Sequence, residues 1–268
     1  MLNGAVYSDD PMDDTGSKNS RKDFFKHFKR NFCDFWDFLL RDSSETEELF
    51  GDENDAAENA DGKEGDKKRK GDKSAPSAAS KPFSSPLFDS VSDAVALFSG
   101  SRSRTVRVAA TRAGLQLVTS LVKIAKAKAE TRDTKQRQLD SESKKKRPNA
   151  AMLRALTEAL TKTQTRIRGA ERMIADAFTK IFTHRFRDID ASVRAACMEN
   201  IGEWMRSHPL FFLSDVYLKY LGWSLSDKDA KVRKAVLVAL RNLYTASNEN
   251  LALMDTFNAR FQPRVKEM

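Results

Sequence analysis

The stretch Asp190-Ala-Ser-Val-Arg194-Ala-Ala-Cys197 is followed 39 residues later by a second stretch of the same pattern, Asp229-Ala-Lys-Val-Arg233-Lys-Ala-Val236. Each places an aspartate ahead of a Val-Arg pair and then opens a segment whose apolar residues recur at helical spacing. A period near 40 residues is typical of paired helices that stack into a solenoid. Because solenoids present extended surfaces to their partners, the pattern predicts a binding scaffold.

The rest of the sequence agrees with a helical fold. No segment alternates apolar and polar residues in the way that indicates β-strands. We therefore predict an all-α, HEAT-like helical repeat solenoid. Its most regular part is the C-terminal one, with helices expected near 171–186, 190–206, 212–225, 228–245 and 248–261. Asp190 or, alternatively, Ser192 is the predicted N-cap of one of these helices and Asp227 that of another, since a short polar side chain there accepts hydrogen bonds from free backbone N–H groups.

The composition limits the class of protein. The chain has 268 residues, of which 32% are charged, and its net charge is +9. This charged fraction exceeds the roughly 25% of ordinary soluble domains and predicts a folded part joined to disordered segments. No apolar run reaches ~18 residues and no signal-peptide pattern opens the sequence, so we expect neither a membrane span nor a secretory leader. Two cysteines, Cys33 and Cys197, are too few for a disulfide framework and favour a reducing compartment.

Changes in composition divide the chain into five segments. Residues 1–21 are polar and predict a disordered tail. Residues 22–41 carry phenylalanines, a tryptophan and leucines at helical spacing, which predicts an N-terminal amphipathic helix. Residues 42–86 change from acidic to basic and then to Ser, Ala and Pro, which predicts a disordered linker. Residues 87–170 are expected to form a helical region with a long basic hairpin, and residues 171–268 the regular repeats.

The hairpin is predicted from two helical stretches that flank a polar segment. A helix from Thr105 is followed by the run Lys144-Lys-Lys-Arg147-Pro148, and a second helix begins near Ala150. From Arg102 to Arg172 there are 19 Lys or Arg and 6 Asp or Glu, a local net charge of +13. Two interpretations remain open: a solvated charged surface, or a surface that binds nucleic-acid phosphates without reading the bases.

The residues expected at such a nucleic-acid surface share a positive charge and a place near the hairpin or the start of the repeats. They are Arg102, Arg104, Arg107, Lys144, Lys145, Lys146, Arg147, Arg185 and Arg187. Two short basic runs, Lys144–Arg147 and Lys67–Lys70, are also typical of nuclear import signals.

The segment 212–225 carries an unusually wide apolar arc. On a helical wheel this arc spans roughly 220°, whereas a core-facing helix needs upwards of about 100°. Trp223 lies at the edge of the arc, next to Lys219. Its indole either completes the core, which the spacing alone favours, or leaves one face exposed as a docking platform.

Four motifs follow one another in the C-terminal part: Phe182-Thr-His-Arg185-Phe-Arg187-Asp188, Ile201-Gly-Glu-Trp204-Met205, Asp215-Val-Tyr-Leu-Lys219-Tyr220-Leu-Gly-Trp223 and Phe257-Asn-Ala-Arg260-Phe261. Together they resemble the stromalin conservative domain of the stromalin (SA/STAG) family, the HEAT-repeat subunits of cohesin. Three upstream motifs are similar to the family's N-terminal part: Asn31-Phe-Cys-Asp-Phe-Trp36, Phe98-Ser-Gly-Ser-Arg-Ser-Arg104-Thr-Val-Arg107-Val-Ala-Ala-Thr111 and Gln136-Arg-Gln-Leu139. The resemblance covers residues 22–41 and 87–268, and it assigns residues 171–268 to the stromalin conservative domain.

This resemblance implies a nuclear, chromosome-bound scaffold that supports sister-chromatid cohesion and chromosome segregation. Its partners would be the cohesin kleisin and other cohesin subunits, DNA without sequence preference, and regulators with Phe-x-Phe or Tyr-x-Phe motifs. The residues that match the family's peptide-docking surface are Asp215, Lys219, Tyr220, Trp223 and Arg260. Because family members are several times longer, we expect the sequence to be a piece of a larger solenoid, with much of the kleisin-binding surface outside it.

The arginines of the two Val-Arg pairs have a structural interpretation. Arg194 and Arg233 are predicted to pair with aspartates of neighbouring repeats. Such pairs would form a ladder that fixes the packing of the repeats and binds no ligand.

Catalysis finds little support in the sequence. The histidines His27, His184 and His208 lack the spacing of metal ligands, and no phosphate-binding or nucleophile motif is present. We therefore expect no enzyme activity, no metal and no cofactor. The alternative to a cohesin scaffold is a general HEAT-repeat adaptor, such as a nuclear transport receptor, which would lack affinity for DNA.

Overall fold

The computed structural model describes residues 21–45, 49, 86–246 and 252–267. Every regular element in these ranges is helical, which confirms the predicted fold class. The helices are α1 (Arg21–Glu45), α2 (Pro86–Ser99), α3 (Arg104–Ser143), α4 (Ala150–Ala177), α5 (Thr183–Arg185), α6 (Ala191–Ser207), α7 (Pro209–Phe212), α8 (Asp215–Ser224), α9 (Ala230–Ala246) and α10 (Asp255–Lys266). No helix in this described part of the chain is both long and apolar enough to cross a membrane.

Most of the predicted tail and linker, namely residues 1–20, 46–48 and 50–85, lies outside the described residues. At the margin, however, α1 continues to Glu45, into the segment predicted as linker. The reason is burial: Leu40 and Leu49 join the core beside Phe88 of α2, and the Ser43 hydroxyl donates to the Leu39 carbonyl at 2.9 Å.

The predicted hairpin consists of α3 and α4, which pack along each other. Its lower part is apolar, with Leu117 and Leu121 of α3 and Ile174 of α4 fully buried. At ~1.5 Å per residue, the 40 residues of α3 span about 60 Å. Asn149 starts the returning helix by accepting hydrogen bonds from two backbone N–H groups, and the turn before it, Lys144–Pro148, is exposed.

A π-helical segment, Phe178–Phe182, joins α4 to α5 without a break. The sequence predicted an ordinary α-helix here, and the difference follows from aromatic packing. Phe178 and Phe182 stack with ring centroids 4.4 Å apart, and both rings contact Trp204 of α6 and Tyr220 of α8. Single π-helical turns inside α-helices often occur beside functional sites.

The predicted helix 212–225 is interrupted. Pro209 opens the short helix α7, Leu213 ends it, and Ser214 adopts an extended conformation before α8 begins at Asp215. Within α8 the apolar arc is also narrower than predicted, since Val216, placed in that arc, is 60% exposed.

Three arginines occupy the same position in three successive repeats. In each, Nη1 donates to the carbonyl groups of the residues six and five positions earlier, at the following distances: Arg107 to Ser101 (3.1 Å) and Arg102 (3.3 Å), Arg194 to Asp188 (2.8 Å) and Ile189 (3.3 Å), and Arg233 to Asp227 (2.9 Å) and Lys228 (3.2 Å). The stretch around Val106-Arg107 is therefore geometrically an earlier copy of the two later repeats.

We call each of these three arginines, together with its hydrogen-bond partners, a rung of the ladder. In two of the three rungs the arginine also binds a carboxylate of the following repeat. Arg194 binds Asp227 through Nε (2.8 Å) and Nη2 (2.9 Å), and Arg107 Nε lies 3.1 Å from Asp188. Burial raises the pKa of the Asp227 carboxyl, but the hydrogen bonds and charge of Arg194 outweigh burial and hold this pKa below its ordinary value. Within the described ranges no carboxylate pairs with Arg233, so the third rung consists of the carbonyl bonds alone.

Aspartates two residues apart open the second and third repeats. Asp190 caps α6 as predicted, since its carboxylate accepts from the Ser192 N–H at 2.8 Å. Asp227 was predicted to cap α9, and this is wrong. Its carboxylate binds Arg194 and the backbone N–H of Asp229, while Asp229 accepts from the Lys231 N–H at 2.7 Å and starts the helix.

Asp37 contributes to the docking of α1 on α3, beside the apolar contacts of Phe32, Trp36 and Leu40, and we expect its contribution to respond to acid. Asp37 Oδ1 accepts from the Ser120 hydroxyl (2.7 Å) and from Lys123 Nζ (3.1 Å) on α3. Burial raises the Asp37 pKa, but these hydrogen bonds and the neighbouring positive charges outweigh it and lower the pKa below 3.8. The contribution, about 1 kcal/mol, is therefore complete above pH 3.8 and is lost as the pH falls through the lowered pKa.

Acid titration followed by tryptophan fluorescence measures this docking, with Trp36→Phe as the blank that isolates the signal of Trp36 from those of Trp204 and Trp223. We expect Asp37→Asn to remove the acid-sensitive change and to weaken α1 docking already at neutral pH. Asp34→Asn is the matched control, because Asp34 is an exposed carboxylate on the same helix. An equal response of both variants would contradict the assignment.

Candidate peptide-docking and nucleic-acid surfaces

The exposed aromatic surface of the C-terminal part centres on Trp223. Trp223 is 41% exposed, so it neither completes the core nor stands free of it. One face stacks on Phe186 at a centroid distance of 6.4 Å, and Tyr220 meets the ring edge-on at 5.6 Å. We call the surface formed by Phe186, Tyr220 and Trp223 with the cations Arg187 and Lys219 the Trp223 platform.

Two cations flank the indole of Trp223. Lys219 Nζ lies 5.6 Å from the ring centroid, and the guanidinium carbon of Arg187 lies 5.7 Å from it. Arg187 also lies 4.8 Å from the Phe186 centroid, and Lys219 5.3 Å from that of Tyr220. Arg187 was predicted as a nucleic-acid residue, and its place beside Trp223 was not predicted.

Tyr220 forms the buried base of the platform. Its ring packs against Phe178, Phe182 and Phe186 at 5.4, 5.3 and 4.8 Å. Burial, only partly opposed by the charge of Arg187, raises the pKa of its hydroxyl. Trp223 is therefore the accessible ring of the platform, and Tyr220 supports its edge from the buried side.

The remaining predicted peptide-binding residues lie where α8 meets α10. Phe261 rests on Gly222, where a Cβ would lie 2.3 Å from the ring, so only glycine permits this approach. Arg260 lies exposed with its guanidinium carbon 5.2 Å from the Phe261 centroid. Asp215 accepts from the Thr256 hydroxyl at 3.2 Å. The single glycine of α8, on the polar side of the helical wheel, was the available sequence signal for this close packing.

The predicted nucleic-acid residues separate into two patches. The tip patch, Lys144–Arg147, is exposed at the end of the hairpin. The base patch lies at the other end of α3, about 60 Å away along the helix; it consists of Arg102, Arg104, Arg185 and Arg187. Two members of the base patch bind carboxylates of the Asp188–Asp190 turn, which precedes α6. Arg104 Nε lies 2.7 Å from Asp190, and Arg185 Nη1 lies 2.9 Å from Asp188.

Arg107 does not belong to either patch. It is only 7% exposed, and its guanidinium is engaged by Asp188 and by the carbonyls of Ser101 and Arg102. A buried arginine that is already paired cannot reach a phosphate without breaking this rung. We therefore correct the prediction and assign Arg107 to the ladder with Arg194.

Other chemistry finds no support in the described ranges. Nowhere in them do three or more His, Cys, Asp or Glu side chains come together in a way that could hold a metal ion. Cys197 is fully buried, and burial raises the pKa of its thiol well above the ordinary value, as befits a small core residue. The fold and its surfaces thus define a helical-repeat scaffold with an exposed aromatic platform and two basic patches.

Comparison with known families agrees with this class. The model of the STAG domain matches residues 17–159, and the model of the stromalin conservative domain matches residues 187–262. The first match alone covers more than half of the sequence. The chain therefore belongs to the STAG family, the stromalins, as the sequence motifs predicted.

Relatives in several kingdoms carry cohesin names. The chain is 44% identical over 186 residues to sister-chromatid cohesion protein 3 of Arabidopsis thaliana, covering 69% of this chain and 17% of that protein. It is 40% identical over 186 residues to cohesin subunit SA-3 of Mus musculus, covering 68% of this chain and 15% of that protein. Cohesin subunit Scc3 from Z. rouxii shares the fold, with a TM-score of 0.70 at 23% identity over 95% of this chain and 24% of that one.

Proposed function

We propose that this chain is part of a non-enzymatic scaffold of a cohesin complex, in the nucleus and on chromosomes. In this role it supports sister-chromatid cohesion and chromosome segregation by docking aromatic motifs of regulators and by contacting DNA. The names of the relatives support the cohesin assignment, although the chain matches only 17% and 15% of their lengths in the two cases above. The observation that carries the docking role is the half-exposed Trp223 between two cations.

The geometry of the platform suits a Phe-x-Phe or Tyr-x-Phe segment. In an extended peptide, residues two apart point to the same side, about 6.6 Å from each other. One aromatic side chain of the peptide stacks on Trp223 and the other reaches the neighbouring rings, because aromatic groups bury large areas at low entropic cost. Lys219 and Arg187 hold carbonyl or carboxylate oxygens of the peptide.

Fluorescence anisotropy of a labelled Phe-x-Phe peptide tests this docking. We expect saturable binding by the wild type and a loss of about 30-fold or more in affinity for Trp223→Ala, since aromatic hot spots contribute 2 kcal/mol or more. Met152→Ala is the matched control, because Met152 is an exposed apolar residue in the first turn of α4, at the end of that helix away from the platform. Wild-type affinity in Trp223→Ala, or an equal loss in Met152→Ala, would refute the platform.

The two basic patches predict that DNA affinity depends on duplex length. A separation of about 60 Å corresponds to roughly 18 base pairs at ~3.4 Å per pair. We expect affinity per duplex to rise steeply between 10 and 24 base pairs, and binding to weaken with salt through counterion release.

Removing the tip patch provides the control for DNA binding. The variant Lys144→Ala, Lys145→Ala, Lys146→Ala, Arg147→Ala should abolish the length dependence and leave weak binding through the base patch. If the wild type shows no affinity for any duplex at low salt, the DNA role fails and the general protein-binding adaptor becomes the better description. Pull-down experiments with the wild type, the Trp223→Ala variant and the tip-patch variant test the kleisin and the other cohesin subunits as partners.

A further inference from the structure

Arg187 stands at the border of the two proposed surfaces. It is a member of the base patch by position, since it directly follows Phe186 and precedes the Asp188–Asp190 turn. At the same time its guanidinium flanks Trp223, 5.7 Å from the ring centroid. A single exposed cation therefore serves the aromatic platform and the basic patch together.

The carboxylates of the turn engage two of the four arginines of the base patch and leave Arg187 outside these ion pairs. Arg104 and Arg185 form ion pairs with Asp190 and Asp188 at 2.7 and 2.9 Å, and Asp188 is shared with Arg107. Within residues 86–246 and 252–267, Arg187 has no carboxylate at ion-pair distance and makes only ring contacts. A phosphate approaching this patch meets least competition at Arg102 and Arg187, because a contact there does not require an existing ion pair to break. Of these two exposed arginines, only Arg187 also flanks Trp223.

We infer that peptide docking on the Trp223 platform and nucleic-acid binding at the base patch compete with each other, with Arg187 as the shared group. This inference rests on the proposed function. A phosphate that binds Arg187 draws the guanidinium away from the indole and brings polyanion across the platform. A peptide stacked on Trp223 covers Arg187 in turn. Because coupling between two ligands is reciprocal, each weakens the other by the same factor.

The strengths of the two contacts differ in their dependence on salt. The guanidinium–phosphate contact is charge-assisted and is weakened by salt through counterion release. Aromatic stacking of the peptide depends chiefly on buried area and responds less. Nucleic acid is therefore favoured at low ionic strength and the peptide at high ionic strength. A salt titration of the protein with both ligands present should change the bound ligand from duplex to peptide.

The test is a peptide anisotropy titration at low salt with and without an unlabelled 24-base-pair duplex. The peptide alone first establishes its own dissociation constant, which examines the proposed function separately. With duplex at ten times its own dissociation constant, mass action predicts a rise in the apparent peptide constant of about fivefold or more, and this rise should persist in the tip-patch variant. An unchanged peptide constant in the presence of bound duplex would overturn the inference while leaving peptide docking intact.

Arg187→Ala identifies the shared group. It should weaken peptide binding about two- to fivefold, the worth of an exposed cation–π contact, and it should remove most of the competition while the tip patch still binds duplex. Arg168→Ala is the matched control, because it removes the same charge from an exposed position on α4 and should leave the competition unchanged. Competition of undiminished size in Arg187→Ala would refute the role of Arg187.

Iodide quenching gives a readout that needs no peptide. Trp204 is buried and Trp36 half-buried, so quenching by iodide reports mainly on Trp223, with Trp223→Phe as the blank. Duplex should protect Trp223 from iodide in the wild type and not in Arg187→Ala. Protection without peptide binding would show that only the docking role had failed, whereas absence of protection together with peptide binding would show that the competition had failed.

Discussion

Arg194→Ala should lower the free energy of unfolding by about 3–5 kcal/mol while leaving DNA affinity within about twofold of the wild type. The reason is that the change removes one partner of a buried ion pair and leaves the Asp227 carboxylate uncompensated. Both side chains are almost fully buried, and the two hydrogen bonds between them are 2.8 and 2.9 Å long. Two backbone carbonyls, those of Asp188 and Ile189, lose their donor as well.

Urea denaturation followed by circular dichroism measures this loss, and two further variants give its scale. Arg194→Lys keeps the charge but cannot form the bidentate pair, so an intermediate loss is expected. Arg233→Ala should cost only about 1 kcal/mol, because its rung has no carboxylate among the described residues to leave uncompensated. A loss of DNA affinity in Arg194→Ala that exceeds its loss of stability would contradict the structural role of the ladder.

Trp204→Ala should be about as costly, with a loss of 3–5 kcal/mol. The indole is 1% exposed and contacts Phe178 and Phe182 of the π-helical segment and Phe212 of α7. Its Nε1–H donates to the Thr119 hydroxyl of α3 at 2.9 Å. Removing the ring would leave a cavity at the point where three parts of the fold meet.

Trp204→Phe is the matched control, because it keeps most of the ring volume and loses the hydrogen bond. A loss of about 1–2 kcal/mol is expected, since the Thr119 hydroxyl still donates to the Leu115 carbonyl. Thermal melting of both variants beside Trp223→Ala gives the order, and the half-exposed Trp223 should cost least. Equal melting temperatures for Trp204→Ala and Trp223→Ala would show that the two indoles have been assigned to the wrong environments.

Much of the fold follows from spacing alone. The 39-residue interval between the Val-Arg pairs gave the repeat, and the position of Trp223 at an arc edge left open the half-exposed state that is observed. The roles of Arg107 and Arg187 could not be separated in this way, because a basic residue in a basic segment carries no sign of its tertiary partner. Arg107 is buried and donates to Asp188, which lies 81 residues away in the sequence, whereas Arg187 is exposed and lies against the ring of Trp223.

Local chemistry was harder to predict than periodicity. Asp227 and Asp229 are both suited to cap a helix, and only the demand of Arg194 for a carboxylate decides which of them does so. The π-helical segment is likewise set by rings that arrive from α6 and α8. In each case the deciding contact comes from another repeat, so no window of neighbouring residues contains it.

The continuous helical path from Ala150 through the π-helical segment to Arg185 has a mechanical consequence. The two family models leave residues 160–186 between them unassigned, yet the structure fills this interval with helix rather than with a linker. The 36 residues from 150 to 185 form a lever arm of about 50 Å. A force applied at the end of the hairpin would therefore be transmitted along this segment to Phe178 and Phe182, where Trp204 and Tyr220 hold it against the repeats.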